Sequence, residues 1–348
     1  MRFLTAGESH GNQVGAIIEG FPAQVPVNEA TLAELLERRR MAPGRGPRMK
    51  TEQDKFQIVS GVAQGRTLGT PIMVLVPNQV RDRPQNPVTV PRPGHADLPG
   101  LVKYELADIH DVAERASARE TVVRTVVGGL ALQLLRPLGI EIKSRIKTIA
   151  GRTEYDRILD QARETGDTLG GVVELTVTGL CGGVGTFAHW DRRLDVLLGG
   201  AMFGIPGVKG VEFGQAFALT NAPGSQYHDA FTPIDGHFRR ETNNAGGIEG
   251  GMSNGEQIIL ELAVKPIPTL DQPLSSFDTV SGRPAPAPVL RHDVTAVGAV
   301  APIAEAVCAW ELAASLVKQL GGDTLSELNA AYQSLQNKWL QRTQACKS

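Results

Sequence analysis

Apolar side chains recur at helical spacing in several stretches of the chain. Between residues 108 and 135 they repeat regularly enough to predict one continuous helix, about 40 Å long at the usual rise per residue. Nearer the start, Leu32, Leu35 and Leu36 share one face of another predicted helix, and Arg39 falls on that same inward face. The predicted helices cover residues 31–40, 108–135, 156–165, 194–203, 303–320 and 324–340.

Strands are predicted where apolar residues alternate or form short continuous runs. Strands and helices occur in groups and do not alternate strictly, which favours an α+β fold with antiparallel sheets over a doubly wound parallel fold. No linker or internal repeat divides the sequence, so we expect one domain spanning residues 1–348. The predicted strands cover residues 55–63, 70–76, 140–149, 172–180 and 256–264.

The composition narrows the range of functions. Hydrophobic residues make up 41% of the chain and the net charge is −2, which argues against a general binder of nucleic acid or of acidic membranes. The three cysteines are far apart and odd in number, which suggests reduced thiols and neither a disulfide framework nor a metal site. The sequence shows no secretory signal and no run of about 18 apolar residues. We therefore expect a cytoplasmic protein without a membrane span.

Two basic segments suggest a site for a small anion. Residues 38–50 carry six cationic side chains and no acidic one, within a frame of proline and glycine. A solvated charged surface is the alternative, but the inward position of Arg39 and the lack of interleaved aromatic residues favour a phosphate or carboxylate ligand. Further along, Arg115 and Arg119 lie one helical turn apart and would project from one face toward a phosphate. A surface helix that pairs them with neighbouring acidic residues is the competing interpretation.

Two glycine-rich stretches are suited to bring the backbone close to a ligand. Residues 7–11, GESHG, place Ser9 and His10 between glycines and fit the G-x-S-x-G motif of hydrolases. The upstream core strand and oxyanion loop of that motif are missing, so a ligand-binding loop or a structural turn fits better. Residues 242–255 turn backbone amides toward a ligand or form a flexible surface loop. The strand that follows ends at Lys265, a suitable anion contact.

Eight motifs occur in order along the chain: TAGESHG at 5–11, RRRMAPGRGPRM at 38–49, RPGHADLPGLVKY at 92–104, ERASARET at 114–121, TNNAGGIEGGMSNGE at 242–256, KPIPTL at 265–270, RHD at 291–293 and PIAEA at 302–306. Together they resemble the chorismate synthase family over nearly the whole chain. The resemblance implies a β-α-β sandwich and a homotetramer. It also implies that 5-enolpyruvylshikimate 3-phosphate is converted to chorismate by anti-1,4-elimination of phosphate, with reduced FMN required and no net redox change. Whether NADPH or an external donor reduces the flavin stays open.

The resemblance also implies roles for particular residues. His10 and His95 match the two family histidines, one placed to protonate the departing phosphate and the other beside the reduced flavin. Asp293 matches the aspartate near flavin N5 that assists proton removal, although the bare sequence suits a helix cap equally well. Residues matched to the substrate or NADPH are Ser9, Arg39, Arg45 and Arg48. Those matched to the flavin are Arg115, Ala116, Ser117, Pro206, Gly207, Gly250, Lys265, Pro266, Ile267, Pro268, Thr269 and Arg291.

Two positions depart from the family pattern. His110 stands where relatives commonly carry arginine, which weakens one substrate-side cation or makes it pH-dependent, and the loop at 78–87 lacks the usual aromatic residue. Two other functions compete with the resemblance. A serine hydrolase acting through Ser9 would be labelled by a fluorophosphonate, and a non-catalytic binding protein would bind a phosphate ligand without turnover.

Overall fold

The computed structural model describes residues 1–46, 53–79, 86–290 and 293–345. Its helices are α1 (Glu29–Arg40), α2 (Asp97–Tyr104), α3 (Ile109–Ala116), α4 (Thr121–Leu135), α5 (Asp156–Thr165), α6 (Leu194–Phe203), α7 (Gly224–Tyr227), α8 (Val297–Leu320) and α9 (Leu325–Thr343). Its strands are β1 (Arg2–Gly7), β2 (Gln13–Glu19), β3 (Gln57–Ser60), β4 (Val62–Ala63), β5 (Arg66–Thr67), β6 (Ile72–Pro77), β7 (Glu141–Ile149), β8 (Gly171–Thr178), β9 (Val208–Phe213), β10 (Phe231–Ile234), β11 (His237–Arg240), β12 (Ile248–Glu249), β13 (Met252–Ser253), β14 (Ile258–Val264), β15 (Ser275–Phe277) and β16 (Pro284–Pro286).

Two four-stranded antiparallel sheets form the outer layers of the fold. The first has the strand order β1-β2-β6-β3 and the second the order β7-β8-β14-β9. Side chains alternate between the two faces of each sheet, so Ile72 and Val74 of β6 and Leu260 and Leu262 of β14 all point into the core and are fully buried. The antiparallel sheets expected from the grouping of elements are confirmed.

Helices α4 and α8 fill the space between the sheets. Helix α4 packs against β2 and β6 of the first sheet, α8 packs against β7 and β8 of the second, and the two helices contact each other. They approach closely at Gly128, where an added Cβ would lie 2.0 Å from the backbone oxygen of Ala306. A residue with a side chain does not fit at that separation. The order of sheet, helices and sheet is the β-α-β sandwich that the family resemblance implies.

Helix α8 is longer than the sequence predicted. It begins at Val297, not at Ile303, and runs to Leu320. Over this length it is apolar enough to cross a membrane by length and composition alone, with a mean hydropathy of 1.5, which corrects the expectation that no such stretch exists. Of its most apolar window, however, 78% is buried inside the protein. The core helix of a soluble protein has the same properties, so this helix is weak evidence for a membrane span.

The single helix predicted over residues 108–135 is broken, so that prediction was wrong. Helix α3 ends at Ala116, Ser117 is extended with φ −65° and ψ 144°, and α4 begins at Thr121 after one 3-10 turn. The Ser117 hydroxyl accepts a hydrogen bond from the backbone N–H of Arg119 at 3.2 Å. Serine competes with helix propagation in this way, because its side chain offers the backbone an alternative partner.

Gly128→Ala tests the close contact between α4 and α8. The added methyl group meets the backbone of Ala306, so the helices must move apart, and we expect the free energy of unfolding to fall by about 1–3 kcal/mol. Gly200→Ala in α6 is the matched control, because an added Cβ there meets nothing within 4 Å. Its higher helix propensity should leave stability unchanged or raised. Urea unfolding followed by circular dichroism measures both, and equal stability of the two variants would argue against this packing.

Candidate active site

His10 is fixed against a buried carboxylate. The loop that carries it leaves β1 and contacts α3, where the backbone N–H of Ser9 donates to the carbonyl of Glu114 at 2.9 Å. The backbone N–H of His10 donates to Glu114 Oε2 at 2.7 Å, and Nδ1 of its ring lies 3.2 Å from Oε1. From this contact we assign the ring proton to Nδ1. Nε2 is then the atom able to exchange a proton with a ligand.

Asn78 holds the same loop in shape. Its Nδ2 donates to the carbonyls of Glu8 and Gly11 at 2.8 and 2.9 Å, and its Oδ1 accepts from Nε of Arg119 at 2.8 Å. Arg119 also donates to Asp54. All four hydrogen bonds join residues distant in sequence. Arg119 therefore supports the His10 loop from inside the protein.

The two arginines predicted to share a helix face do not lie together, and that prediction was wrong. The break at Ser117 separates them, so Arg119 turns inward while Arg115 stays at the surface with 47% of its side chain exposed. Arg115 donates to the carbonyls of Thr5 and Gly7 at 3.1 and 3.3 Å. Its guanidinium also lies 4.0 Å from Glu120, the acidic neighbour of the competing interpretation.

Ser9 is not arranged as a hydrolytic nucleophile. It is buried, and its hydroxyl donates to the hydroxyl of Ser117 at 3.1 Å. A serine nucleophile needs a basic nitrogen against its oxygen, whereas the neighbouring His10 directs Nδ1 to Glu114. This geometry argues against the serine hydrolase alternative.

His95 is paired with a second buried carboxylate. Its Nδ1 lies 2.5 Å from Oδ1 of Asp97, whose side chain is fully buried. Arg92 adds hydrogen bonds to both Asp97 oxygens, each at 2.8 Å. Burial alone would raise the pKa of the Asp97 carboxyl, but the hydrogen bonds from Arg92 and His95 outweigh it and hold that pKa well below its usual range. Asp97 therefore stays ionised and orients the imidazole.

Lys265 lies beside the His95 loop. Its Nζ donates to the carbonyl of Gly94, and its backbone N–H donates to the carbonyl of Gly207 at 2.9 Å. Burial, assisted by the nearby charge of Lys209, lowers the pKa of Lys265. The structure thus places the Pro206–Gly207 turn and the end of β14, which the resemblance connects with the flavin, next to the His95 loop.

The segment that follows Lys265 is held by contacts with residues 168–170 and with Gly94. The carbonyl of Ile267 accepts a hydrogen bond from Oγ1 of Thr168 at 2.7 Å. Pro266 lies close to Gly170, Pro268 lies close to Gly94, and Thr269 is buried. These contacts fix the path of the chain beside the His95 loop.

The arginines of the basic segment have carboxylate partners. Arg39 is buried, as the helical pattern predicts, and its Nη1 lies 3.0 Å from Oδ2 of Asp54. Arg45 donates to Asp293, which also accepts from the backbone N–H of Gly46 at 2.6 Å. Two residues matched by the resemblance, Arg48 and Arg291, lie outside the described residues.

Asp293 does not cap a helix, so that alternative is wrong. Helix α8 begins at Val297, and its first backbone N–H donates to Oγ1 of Thr295 at 3.2 Å. The Asp293 carboxylate points instead to Arg45 and Gly46. It therefore joins the basic segment to the start of α8.

Gly250 lies away from Lys265, another residue matched to the flavin. It forms the tip of the β12–β13 hairpin, which follows the turn where Gly246 accepts a hydrogen bond from the N–H of Ile259. Lys265 follows the opposite end of β14, and this strand of seven residues spans roughly 20 Å. Within one chain, Gly250 and Lys265 are therefore far apart.

Two surface cavities lie outside this constellation. One of 640 Å³ borders α1 and Asp54, and another of 520 Å³ lies between the β10–β11 hairpin and α9. Neither is lined by His10, His95 or Asp293. Cavity size therefore does not identify the candidate active site of this protein. The two histidines paired with buried carboxylates identify it better.

Two carboxylates at this site were missed by sequence reasoning. Glu114 and Asp97 each orient a histidine, and each had a local signal. Asp97 stands two residues after His95, and Glu114 stands four residues after His110, one helical turn away on the same face. Nε2 of His110 lies 2.8 Å from Glu114 Oε1.

Comparison with known proteins shows the family of this chain. The family model described as chorismate synthase matches residues 1–317. The chorismate synthase of Caldanaerobacter subterraneus subsp. tengcongensis is 47% identical over 340 residues, covering 95% of this chain and 97% of the relative. That of Desulforamulus reducens is 43% identical over 385 residues, covering 98% of each. A solved structure described as "Crystal Structure of Chorismate Synthase" has a TM-score of 0.80 and 31% identity, and the match covers 98% of each chain. This chain belongs to the chorismate synthase family.

Proposed function

We propose that the chain performs the family reaction, conversion of 5-enolpyruvylshikimate 3-phosphate to chorismate, with His10 and His95 as its acid–base groups. This carbon–oxygen lyase reaction is the last step of the shikimate pathway. The matched setting of the two histidines carries the proposal. In each ring Nδ1 contacts a buried carboxylate, Glu114 at 3.2 Å or Asp97 at 2.5 Å, and Nε2 is left to exchange a proton.

The elimination breaks a C–O bond and a C–H bond across the allylic system of the substrate. The electrons of the C–O bond leave with phosphate, a proton leaves the ring, and a new C=C bond forms, so no net oxidation occurs. Phosphate departs readily when it is protonated or its charge is neutralised. We assign the protonation to His10, because the His95 loop lies against the flavin segment around Lys265.

The residues assigned to the flavin suit a phosphate-bearing cofactor. Lys265 is a partly buried cation whose Nζ contacts a carbonyl, and a second cation, Lys209, lies near it. Half-exposed Arg115 and the Ser117 hydroxyl offer further donors. Cationic and hydroxyl donors favour an anion, and we infer that Lys265 and Arg115 hold FMN with the Pro206–Gly207 turn. Bound reduced FMN supplies electron density to the allylic system.

The substrate's anionic groups would contact the basic segment. We assign Arg45 and Arg48 to these groups. Arg39 either supports the basic segment through its contact with Asp54 or binds NADPH. Asp293, held beside Arg45, is assigned to assist removal of the ring proton. Ser9 lies buried behind His10 and keeps the loop in position through Ser117.

A homotetramer would reunite residues that one chain separates. Gly250 is matched to the flavin but lies at the far end of β14 from Lys265, so a second copy would have to supply it. Phe187, Trp190 and Phe217 are largely exposed, as residues at subunit contacts are before assembly. We also expect a cytoplasmic location, since Cys181 and Cys308 are free and buried, and NADPH as one reductant of the flavin.

The proposed reaction and the roles of the histidines are tested together. In an anaerobic assay with reduced FMN, we expect His10→Ala and His95→Ala each to slow chorismate formation by about 10²-fold or more. His189→Ala is the matched control, because His189 also contacts a carboxylate but lies exposed at the surface. Wild-type rates in both active-site variants would remove the histidines from the mechanism. Absence of turnover in the wild-type protein, with substrate still bound, would favour a binding protein.

The role of Asp293 is separable from that of its partner Arg45. If Asp293 handles a proton, Asp293→Asn should lower kcat at least about tenfold, since asparagine cannot act as a base. Arg45→Met should mainly raise KM, because it removes a charge that holds the substrate. Steady-state kinetics under reduced FMN distinguishes the two. The same loss of kcat in both variants would mean that Asp293 acts only by positioning Arg45.

Lys265→Met tests the flavin site. Loss of a charge-assisted hydrogen bond costs about 1.5–3 kcal/mol, so the Kd for FMN should rise by about 10- to 100-fold. Lys143→Met, at an exposed ion pair on β7, is the control and should leave the Kd unchanged. Fluorescence titration measures both, and light scattering on the same samples should give about four times the 37.2 kDa of one chain. An unchanged Kd in Lys265→Met, or turnover without flavin, would contradict the assignment.

A further inference from the structure

Three ligand atoms of the kind that bind transition metals converge where the His10 loop contacts α3. One ring nitrogen of His10, one of His110 and a carboxylate oxygen of Glu114 all lie within 4.8 Å of one another. Nδ1 of His10 and Nε2 of His110 lie 3.2 and 2.8 Å from Glu114 Oε1. The two imidazole rings are 5.1 Å apart at their centroids and tilted by 35°. Two histidines and one glutamate are the ligand set of known zinc sites that keep one position open.

His110 provides an independent observation. Its Nε2 is shielded from water and has no hydrogen bond among the described residues. Glu114 Oε1 lies only 2.8 Å away, but the geometry does not satisfy a hydrogen bond. Buried polar atoms without a partner are uncommon in proteins and need an explanation. An ion among the three side chains would give this nitrogen a bonding partner.

We propose that His10, His110 and Glu114 bind one Zn²⁺ ion, and that the bound ion inhibits the elimination. Water or an oxygen of the substrate phosphate would take the fourth position. Zn²⁺ suits a set of two nitrogens and one oxygen, whereas Mg²⁺ prefers oxygen ligands throughout. The inhibition rests on the proposed role of His10, but the binding site does not.

Inhibition follows from what the ion does to His10. Coordination through Nδ1 takes the position of the ring proton, which is displaced when Zn²⁺ binds. The same ion also engages Glu114, the carboxylate that otherwise orients the ring. A histidine bound in this way can no longer become an imidazolium and donate a proton to phosphate. The side chain of His10 is 21% exposed, against 6% for Glu114, so the ion has access from the His10 side.

His110→Arg separates the metal site from the rest of the cluster. Arginine keeps a cation beside Glu114 but does not ligate metals. Chelator-stripped protein is titrated with Zn²⁺ against a chromophoric chelator. We expect one Zn²⁺ per chain in the wild type and at least about 100-fold weaker binding in His110→Arg, with His189→Gln unchanged as the control. His110→Gln repeats the test if the arginine variant does not fold by circular dichroism.

Bound Co²⁺ reports the same site by its visible absorption. The wild type should show the bands of a tetrahedral or five-coordinate ion, and His110→Gln should not. Failure of the wild type to bind Zn²⁺, or equal binding by both His110 variants, would overturn the proposal. Equal Co²⁺ spectra would do the same.

The inhibition is measured separately, in the anaerobic assay with reduced FMN. Stoichiometric Zn²⁺ should abolish wild-type turnover, a chelator should restore it, and Mg²⁺ should have no effect. Folded His110 variants should resist the same concentration of Zn²⁺. Binding that depends on His110 but leaves turnover unchanged would refute the inhibition and the role of His10 in proton transfer. Absence of turnover in every sample would refute the proposed function, and the titration would still decide whether the zinc site exists.

Discussion

The packing of α4 against α8 is the constraint on which the rest of the structure depends. Each sheet has an apolar face that needs cover, and these two helices are the layer that covers both. Their contact also fixes where they begin. Thr121 at the start of α4 accepts a hydrogen bond from Arg39, and Val294, just before α8, donates to the carbonyl of Gly44. The basic segment thus links the starts of both helices. The positive end of a helix dipole favours an anion, so this region suits an anionic ligand.

The cationic side chains assigned to the site differ in whether they contact a carboxylate. Two of the cations assigned to the site lie against a carboxylate: Arg39 against Asp54, and Arg45 against Asp293. A buried ion pair of this kind is costly to break. Such an arginine therefore either stabilises the fold or exchanges its carboxylate for a ligand that binds it more strongly. Lys265 is different, because its Nζ contacts a carbonyl and its surroundings lower its pKa. A phosphate placed there would gain a charge interaction that the described residues do not supply. This difference supports the proposed assignment of Lys265 to the flavin.

Much of the fold was predictable, because a helix or strand with one buried face has apolar residues at regular spacing in the sequence. Helix α5 and helix α6 have the predicted bounds, and β7 to within one residue. The sequence did not reveal the positions of side chains whose hydrogen-bond partners are distant in sequence. The apolar pattern does not reveal the break in the helix at Ser117, because apolar residues recur at helical spacing on both sides of it. Glu114 could have been found from its spacing to His110. Asp54 could not, because its partners Arg39 and Arg119 lie in α1 and in the 3-10 turn before α4.

The break at Ser117 shows how one such local event changes the chemistry of a site. In an unbroken helix, Arg115 and Arg119 would project side by side and repel each other unless an anion lay between them. The extended residue instead turns Arg119 into the core, where it holds Asn78 and through it the carbonyls on either side of Ser9 and His10. Arg115 remains at the surface, where it contacts the carbonyls of Thr5 and Gly7, the Thr5 hydroxyl and the more distant Glu120. One arginine therefore supports the loop that carries His10, and the other keeps donors at the surface. The helical pattern alone would have assigned both to the same task.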